Sequence, residues 1–94
     1  MSTSKRYHNV WDAIEADSVD AENLKLRSML MMEIDRYVEE SGLTQAEAAK
    51  QMKTTQPRLN DVLQGKIEKC TIDRLVNMLA AVGRHVSLHV SDAA

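Results

Sequence analysis

The sequence predicts an all-α bundle of about five helices that ends in one short β-strand. Three observations carry this prediction. Apolar residues recur at helical spacing through most of the 94 residues. Thr44, Thr55 and Thr71 precede apolar runs, and Gly42, Gly65 and Gly83 follow them, the residue types that open and close helices. Only the stretch Val86, Leu88, Val90, interleaved with His85, Ser87 and His89, changes to strict alternation.

In chain order, residues 1–9 are polar and expected to fray. Val10, Trp11, Ala13 and Ile14 make one amphipathic turn, a brief first helix. Asp20 is placed to cap a long helix over Ala21 to about Glu40. Its stripe is Leu26, Leu30, Ile34 and Val38, widened by Met29, Met31 and Tyr37. Ser41-Gly42 stops it. Thr44 with Glu47 three residues on reads as a capping box for the next helix, whose inner face is Ala48, Ala49 and Met52. Lys53-Thr54 is a tight connection. Thr55 caps a further helix that faces inward with Leu59, Val62 and Leu63 and tolerates Pro57 in its first turn. Thr71 caps the last helix, with Ile72, Leu75, Val76, Leu79 and Ala80 inside. The final strand has no partner in its own chain, and backbone groups need partners. The same strand of a second subunit is the simplest one, so Val86, Leu88 and Val90 are the expected dimerisation residues.

These elements divide the chain into an acidic segment 1–20, a helical domain 21–83 and a strand with tail 84–94. A chain this short buries a modest core, which also favours a homodimer. Hydrophobic residues make up 44% and charged residues 28%, a soluble composition. Tyr7, Trp11 and Tyr37 are the only aromatics, too few for single strands bound by base stacking. Cys70 is alone, which excludes a disulfide framework and fits a reducing cytoplasm. No apolar run approaches the roughly 20 residues that span a bilayer, and Lys5-Arg6 lack the apolar stretch of a signal peptide. No membrane partner is expected.

The net charge of −2 hides an asymmetry. Residues 1–23 hold two cations against five acids, a net −3, whereas residues 50–69 hold five cations against two acids, a net +3. A local positive patch attracts phosphate whatever the total. It coincides with residues 44–65, two short capped helices joined by a minimal turn. Small Ala49 lets the second helix cross closely. Gln56, Pro57, Arg58, Asn60, Asp61 and Gln64 remain off the core side, and such a helix fits the major groove of double-stranded DNA. Glutamine can bond adenine at two points, arginine guanine, aspartate the cytosine amine, and Pro57 can pack on a thymine methyl.

The order Thr44-Gln45, Ala48-Ala49, Thr55-Gln56, Arg58, Asn60, Gly65 resembles the Cro/repressor-type helix-turn-helix domains, the XRE family, over residues 24–83. The resemblance implies a phosphate contact for Gln45 and base contacts for Gln56, Pro57 and Asp61. With Lys53, Thr55, Arg58, Asn60, Gln64 and Lys66 these form the expected DNA-contacting set. One departure is Lys53, where the family commonly has glycine. A left-handed lysine costs on the order of 1 kcal/mol, so either the turn differs or Lys53 adds a phosphate contact. Val10 to Ile14, Ala21 to Ser28 and Val76 to Leu79 are similar to the HigA-type antitoxins. That resemblance implies repression of its own operon and a RelE/HigB-like ribonuclease toxin as partner; the expected two-fold dimer makes the operator palindromic. Val10, Trp11 and Ile14 are the expected toxin contacts; the alternative is that Trp11 packs on the long helix near Leu26 and Leu30.

The remaining features read as inert. Cys70 has no His or acid partner at useful spacing. His85 and His89 lie roughly 13 Å apart along a strand, too far to share a metal within one subunit. The methionines fill core. No nucleophile, base and orienting group come together and no phosphate loop is present, so neither an enzyme nor a cofactor or metal is expected. Three functions remain: an antitoxin and repressor, a stand-alone XRE-type regulator, and an interaction adaptor without DNA binding. Gln56, Arg58 and the local positive charge argue against the last.

Overall fold

The computed structural model describes residues 18–92. Four α-helices follow one another: α1 (Ser18–Ser41), α2 (Gln45–Gln51), α3 (Gln56–Leu63) and, after a 3-10 turn at Ile67–Lys69, α4 (Ile72–Ala81). The brief helix expected at Val10–Ile14 lies outside the described residues. Helix α1 begins at Ser18, so Asp20 sits in its first turn and does not cap it. A carboxylate there favours the positive end of the helix dipole. The boundary expected at residue 20 therefore falls inside α1.

Each threonine cap forms. Thr44 Oγ1 accepts the Glu47 N–H at 3.1 Å, and Glu47 Oε1 accepts the Thr44 N–H at 2.9 Å, a complete capping box. Thr55 and Thr71 accept from the N–H groups of Arg58 and Arg74, both at 3.3 Å. Three helices close with the same paired bonds. After α2, Lys53 N–H reaches Lys50 O at 3.1 Å and Thr54 N–H reaches Ala49 O at 3.0 Å. Gly65 and Lys66 repeat the pattern on Val62 and Asp61, and Gly83 and Arg84 repeat it on Ala80 and Leu79. This Schellman geometry needs a left-handed residue. Gly65 has φ 75° and Gly83 φ 79°, but the equivalent after α2 is Lys53 at φ 55°.

The core gathers Met31 and Ile34 of α1, Ala48, Ala49 and Met52, Leu59 and Val62 of α3, Ile67 and Cys70 around the 3-10 turn, and Leu75, Met78 and Leu79 of α4. Helix α1 packs most extensively on α4 and also meets α3. The expected stripe of α1 needs correction. Met31 and Ile34 are buried and Leu30, Tyr37 and Val38 pack against the core as expected, but Leu26 is 40% and Met29 51% exposed, and Ser28, with Leu24 partly buried beside the core, takes the inner side instead. Ser28, fully buried, satisfies its hydroxyl on Lys25 O at 2.8 Å and lets a neighbour approach closely. Apolar residues surround this part of α1 almost completely, so period alone could not select the inner face. On α4, Met78 is buried and Ala80 is exposed, the reverse of the expected pattern, while Ile72 and Val76 lie at the margin.

Residues 84–92 form no strand in the described chain. A strand is defined by a backbone partner, and among the described residues none is offered to Val86, Leu88 or Val90.

Candidate nucleic-acid interface

Helix α3 is anchored by Leu59, fully buried, and Val62. A helix pinned along one side must present the other. Thr55, Gln56, Pro57 and Arg58 are all exposed at its N-terminal end, with Gln64 exposed at the far end. The turn before α3 places Lys53 in solvent. The structure thus brings Lys53, Thr55, Gln56, Pro57 and Arg58 together by chain continuity on one exposed end.

Three carboxamides link α2 to α3. Gln56 Nε2 donates to Gln45 Oε1 at 3.4 Å, and Gln45 Nε2 donates to Asn60 Oδ1 at 3.3 Å. Gln45 and Asn60 are half-buried and Gln56 is exposed. Asn60, expected to face away from the body of the fold, instead holds Gln45. One Nε2 hydrogen and the Oε1 of Gln56 stay unengaged by this chain of bonds, a donor and an acceptor side by side.

Asp61 and Lys66 of the expected set pair with each other, Lys66 Nζ lying 3.9 Å from Asp61 Oδ1. The pairing is long and partly exposed, so it contributes little to stability. It does place a cation beside the one carboxylate of α3, which reduces that carboxylate's repulsion of phosphate. Lys50, Arg58 and Lys69 are exposed cations of the same stretch.

Arg27 was not singled out by the sequence. Its guanidinium Nη1 donates to Ile67 O at 3.0 Å and to Cys70 O at 3.3 Å, while Nε donates to Asn23 Oδ1 at 2.6 Å. It therefore ties α1 to the 3-10 turn that follows α3 and helps fix α3 in place. Its acceptors are backbone carbonyls 40 and 43 residues away, which leave no mark in side-chain spacing. Arg74, exposed at the start of α4, is a further cation outside the expected set.

Cys70 is buried and its Sγ–H donates to Lys66 O at 3.3 Å. Burial first, and then the Asp61 charge, push its thiol pKa up, so it stays protonated and unreactive. His85 and His89 are exposed. Val86, Leu88 and Val90 are 43%, 75% and 82% exposed. Val10, Trp11 and Ile14 lie outside the described residues. Among the described residues no helix is long and apolar enough to cross a membrane.

No curated protein matches the chain. Residues 14–91, which include every element described above, match a family model described as a helix-turn-helix domain. With two short capped helices packed together and the N-terminal end of the second exposed, the chain belongs to the helix-turn-helix domain family.

Proposed function

We propose that this protein is a non-catalytic transcriptional repressor that binds double-stranded DNA sequence-specifically as a cytoplasmic homodimer. The observation that carries the reading is the exposed N-terminal end of α3, where Gln56, Pro57 and Arg58 stand clear of a core held by Leu59 and Val62. Gln56, steadied by Gln45, offers the donor and acceptor that adenine N7 and N6 require, and Arg58 suits guanine O6 and N7. Gln45, Lys53 and Lys66 serve as phosphate contacts that set the register and carry no base information. Thr55, Asp61 and Gln64 complete the surface, with Asn60 acting through Gln45. Two subunits related by a two-fold axis would read half-sites about one DNA turn apart, so a palindromic operator follows. Selection of binders from a pool of random duplexes tests this. Recovery of a palindromic consensus supports it. Binding with no sequence preference, or none at all, overturns it.

Within that reading, the protein is an antitoxin that neutralises a RelE/HigB-like toxin and represses its own operon. Two observations favour this: the resemblance to HigA-type antitoxins, and the concentration of acids beside Trp11 in residues 10–22. DNA phosphate repels that segment. A ribonuclease that binds RNA is basic and complements it. Val10, Trp11 and Ile14 would then hold the toxin, away from the DNA surface. Removing residues 1–20 separates the roles, with toxin pull-down and operator gel shift run on one preparation. Lost toxin binding with retained DNA binding is the expected result. Retained toxin binding, or loss of both activities through unfolding, would return residues 1–20 to a structural role.

A further inference from the structure

Six large apolar side chains are exposed among the described residues: Leu26, Met29 and Met32 of α1, and Val86, Leu88 and Val90 of the C-terminal segment. All but Val90 line two adjoining hollows that share Met29, Leu30 and Val86. The segment leaves α4 with Arg84, whose N–H reaches Leu79 O at 2.9 Å. Arg84 is fastened to the C-terminal part of α1, its guanidinium 5.3 Å from the Tyr37 ring centroid and its Nη2 3.4 Å from Glu40 Oε1. The chain then runs back along α1, so that Val86 lies beside Met29 and Leu30, and Leu88 beside Leu26 and Ile72. Beyond Arg84 no backbone hydrogen bond joins residues 85–92 to the described residues. The result is an unpaired edge lying over a groove between α1 and α4.

The groove at the Leu26 end is a cavity of about 350 Å³ walled by Leu26, Met29, Leu30, Ile72 and Val76. That volume is near the lower end of small-molecule sites, but such sites also carry converging polar groups. Among the described residues, the only polar side chain in the lining is Ser87. The occupant is therefore apolar. Val86 already faces the groove, whereas Leu88 and Val90 are three-quarters or more exposed. One surface thus carries protruding apolar side chains, a receiving cavity and an unpaired backbone edge. An isologous interface needs all of these on the same patch; a foreign partner would need only one of them.

We infer that the occupant is a second copy of this chain, and that the dimer is a joint strand-and-helix interface in which the partner's Val90 packs against Met29 and Leu26. This rests on the homodimer reading above and adds α1 to it. Antiparallel pairing about a two-fold axis at Leu88 sets residue numbers that sum to 176 opposite one another. Leu88 then meets the partner's Leu88, Val86 meets the partner's Val90, and Arg84 comes opposite the partner's Asp92. Asp92 is the only acid of residues 84–92, so this register matches charge as well as apolar faces. It leaves the exposed end of α3, which belongs to other elements, free for DNA.

Sedimentation equilibrium on the full chain, on a chain lacking residues 85–94 and on Met29→Glu tests the inference, with Leu88→Cys as a probe of register. The full chain is expected to be a dimer. Met29→Glu, at a half-exposed position that accepts a charge in the monomer, should raise the dimer dissociation constant on the order of tenfold to a hundredfold with unchanged helical circular dichroism. If Met29→Glu loses helicity, Leu26→Ser serves in its place. Residues opposite themselves in an antiparallel pair have Cα atoms about 4.5–5.5 Å apart, inside the disulfide range of about 4.4–6.8 Å. Mild oxidation should therefore cross-link Leu88→Cys and leave the wild type, whose lone Cys70 is buried, uncross-linked. A monomeric full chain overturns both the homodimer and this interface. A dimer abolished by the C-terminal deletion but unaffected by Met29→Glu keeps the strand pairing and overturns the part assigned to α1. A dimer whose Leu88→Cys form resists oxidation overturns the register.

Discussion

Lys53 occupies a position that its own fold reserves for glycine. The hydrogen bonds that close α2 are the same pair that close α3 at Gly65 and α4 at Gly83, yet Lys53 adopts φ 55° with a full side chain. A non-glycine residue in this region costs roughly 1–2 kcal/mol. Glycine would relieve that but add chain entropy to the unfolded state, a loss of roughly 0.5–1 kcal/mol. Lys53→Gly should therefore stabilise the fold by about 0.5–1 kcal/mol. At about 4–8 °C per kcal/mol for a domain of this size, thermal unfolding should move up by about 2–8 °C. The same substitution removes an exposed cation beside the proposed DNA surface, so operator affinity should fall for all sequences alike. The slope of log affinity against log salt should shrink by about one ion. Lys53→Ala separates the two effects, because it keeps the strained backbone and loses the charge. It should match Lys53→Gly in DNA binding while showing none of its gain in melting temperature. Melting of Lys53→Gly at or below the wild-type temperature would refute the claim of strain. Unchanged salt slopes in both variants would refute the phosphate contact and leave Lys53 as a position of strain without a role in binding.

Further outcomes follow from the same geometry. Arg58→Ala should weaken binding to the selected operator by roughly 1–3 kcal/mol and relax preference at one base pair; equal losses on operator and random DNA would move Arg58 to the phosphate contacts. Arg27→Met leaves two carbonyls of the 3-10 region without their donor and should lower stability by about 1–3 kcal/mol in urea unfolding, whereas a loss too small to measure would mean that water replaces the guanidinium. Glu47 has its pKa held below the ordinary carboxylate value by the Thr44 backbone N–H first and the Thr44 hydroxyl second. Because the folded pKa is the lower one, its contribution is complete above the unfolded pKa and disappears as pH falls through the folded value. The stability gap between wild type and Glu47→Gln should accordingly close on acidification; a gap independent of pH would remove the ionised capping box from the account.

How much of this was legible in the sequence depends on the distance over which each feature is decided. Caps and stops are settled within a few residues. Thr44 and Glu47, Thr55, Thr71, Gly65 and Gly83 act on backbone groups no more than four residues away, and all formed where the sequence placed them. The turn after α2 was less legible: its lysine suggested a different turn, yet Lys53 takes the left-handed conformation at φ 55° and closes the helix as Gly65 and Gly83 do. The exposed end of α3 was also legible, because Leu59 and Val62 define the buried side and therefore its opposite.

Tertiary structure alone decided the rest. Which side of α1 faces inward is a competition among almost equally apolar sides, and the winner depends on where α3 and α4 arrive; small Ser28 admits that packing, so Leu26 and Met29 are left outside. Asn60 holds Gln45 across 15 residues, and Arg27 reaches carbonyls across 40 and 43. A strand is still less local, because alternation supplies its side chains but only a second backbone supplies its hydrogen bonds. Residues 85–90 carry the pattern without that partner in their own described chain. Sequence determines what is set by torsions and bonds within about one helical turn, while a choice of face, a long-range carbonyl acceptor or a strand partner exists only once distant segments have been brought together.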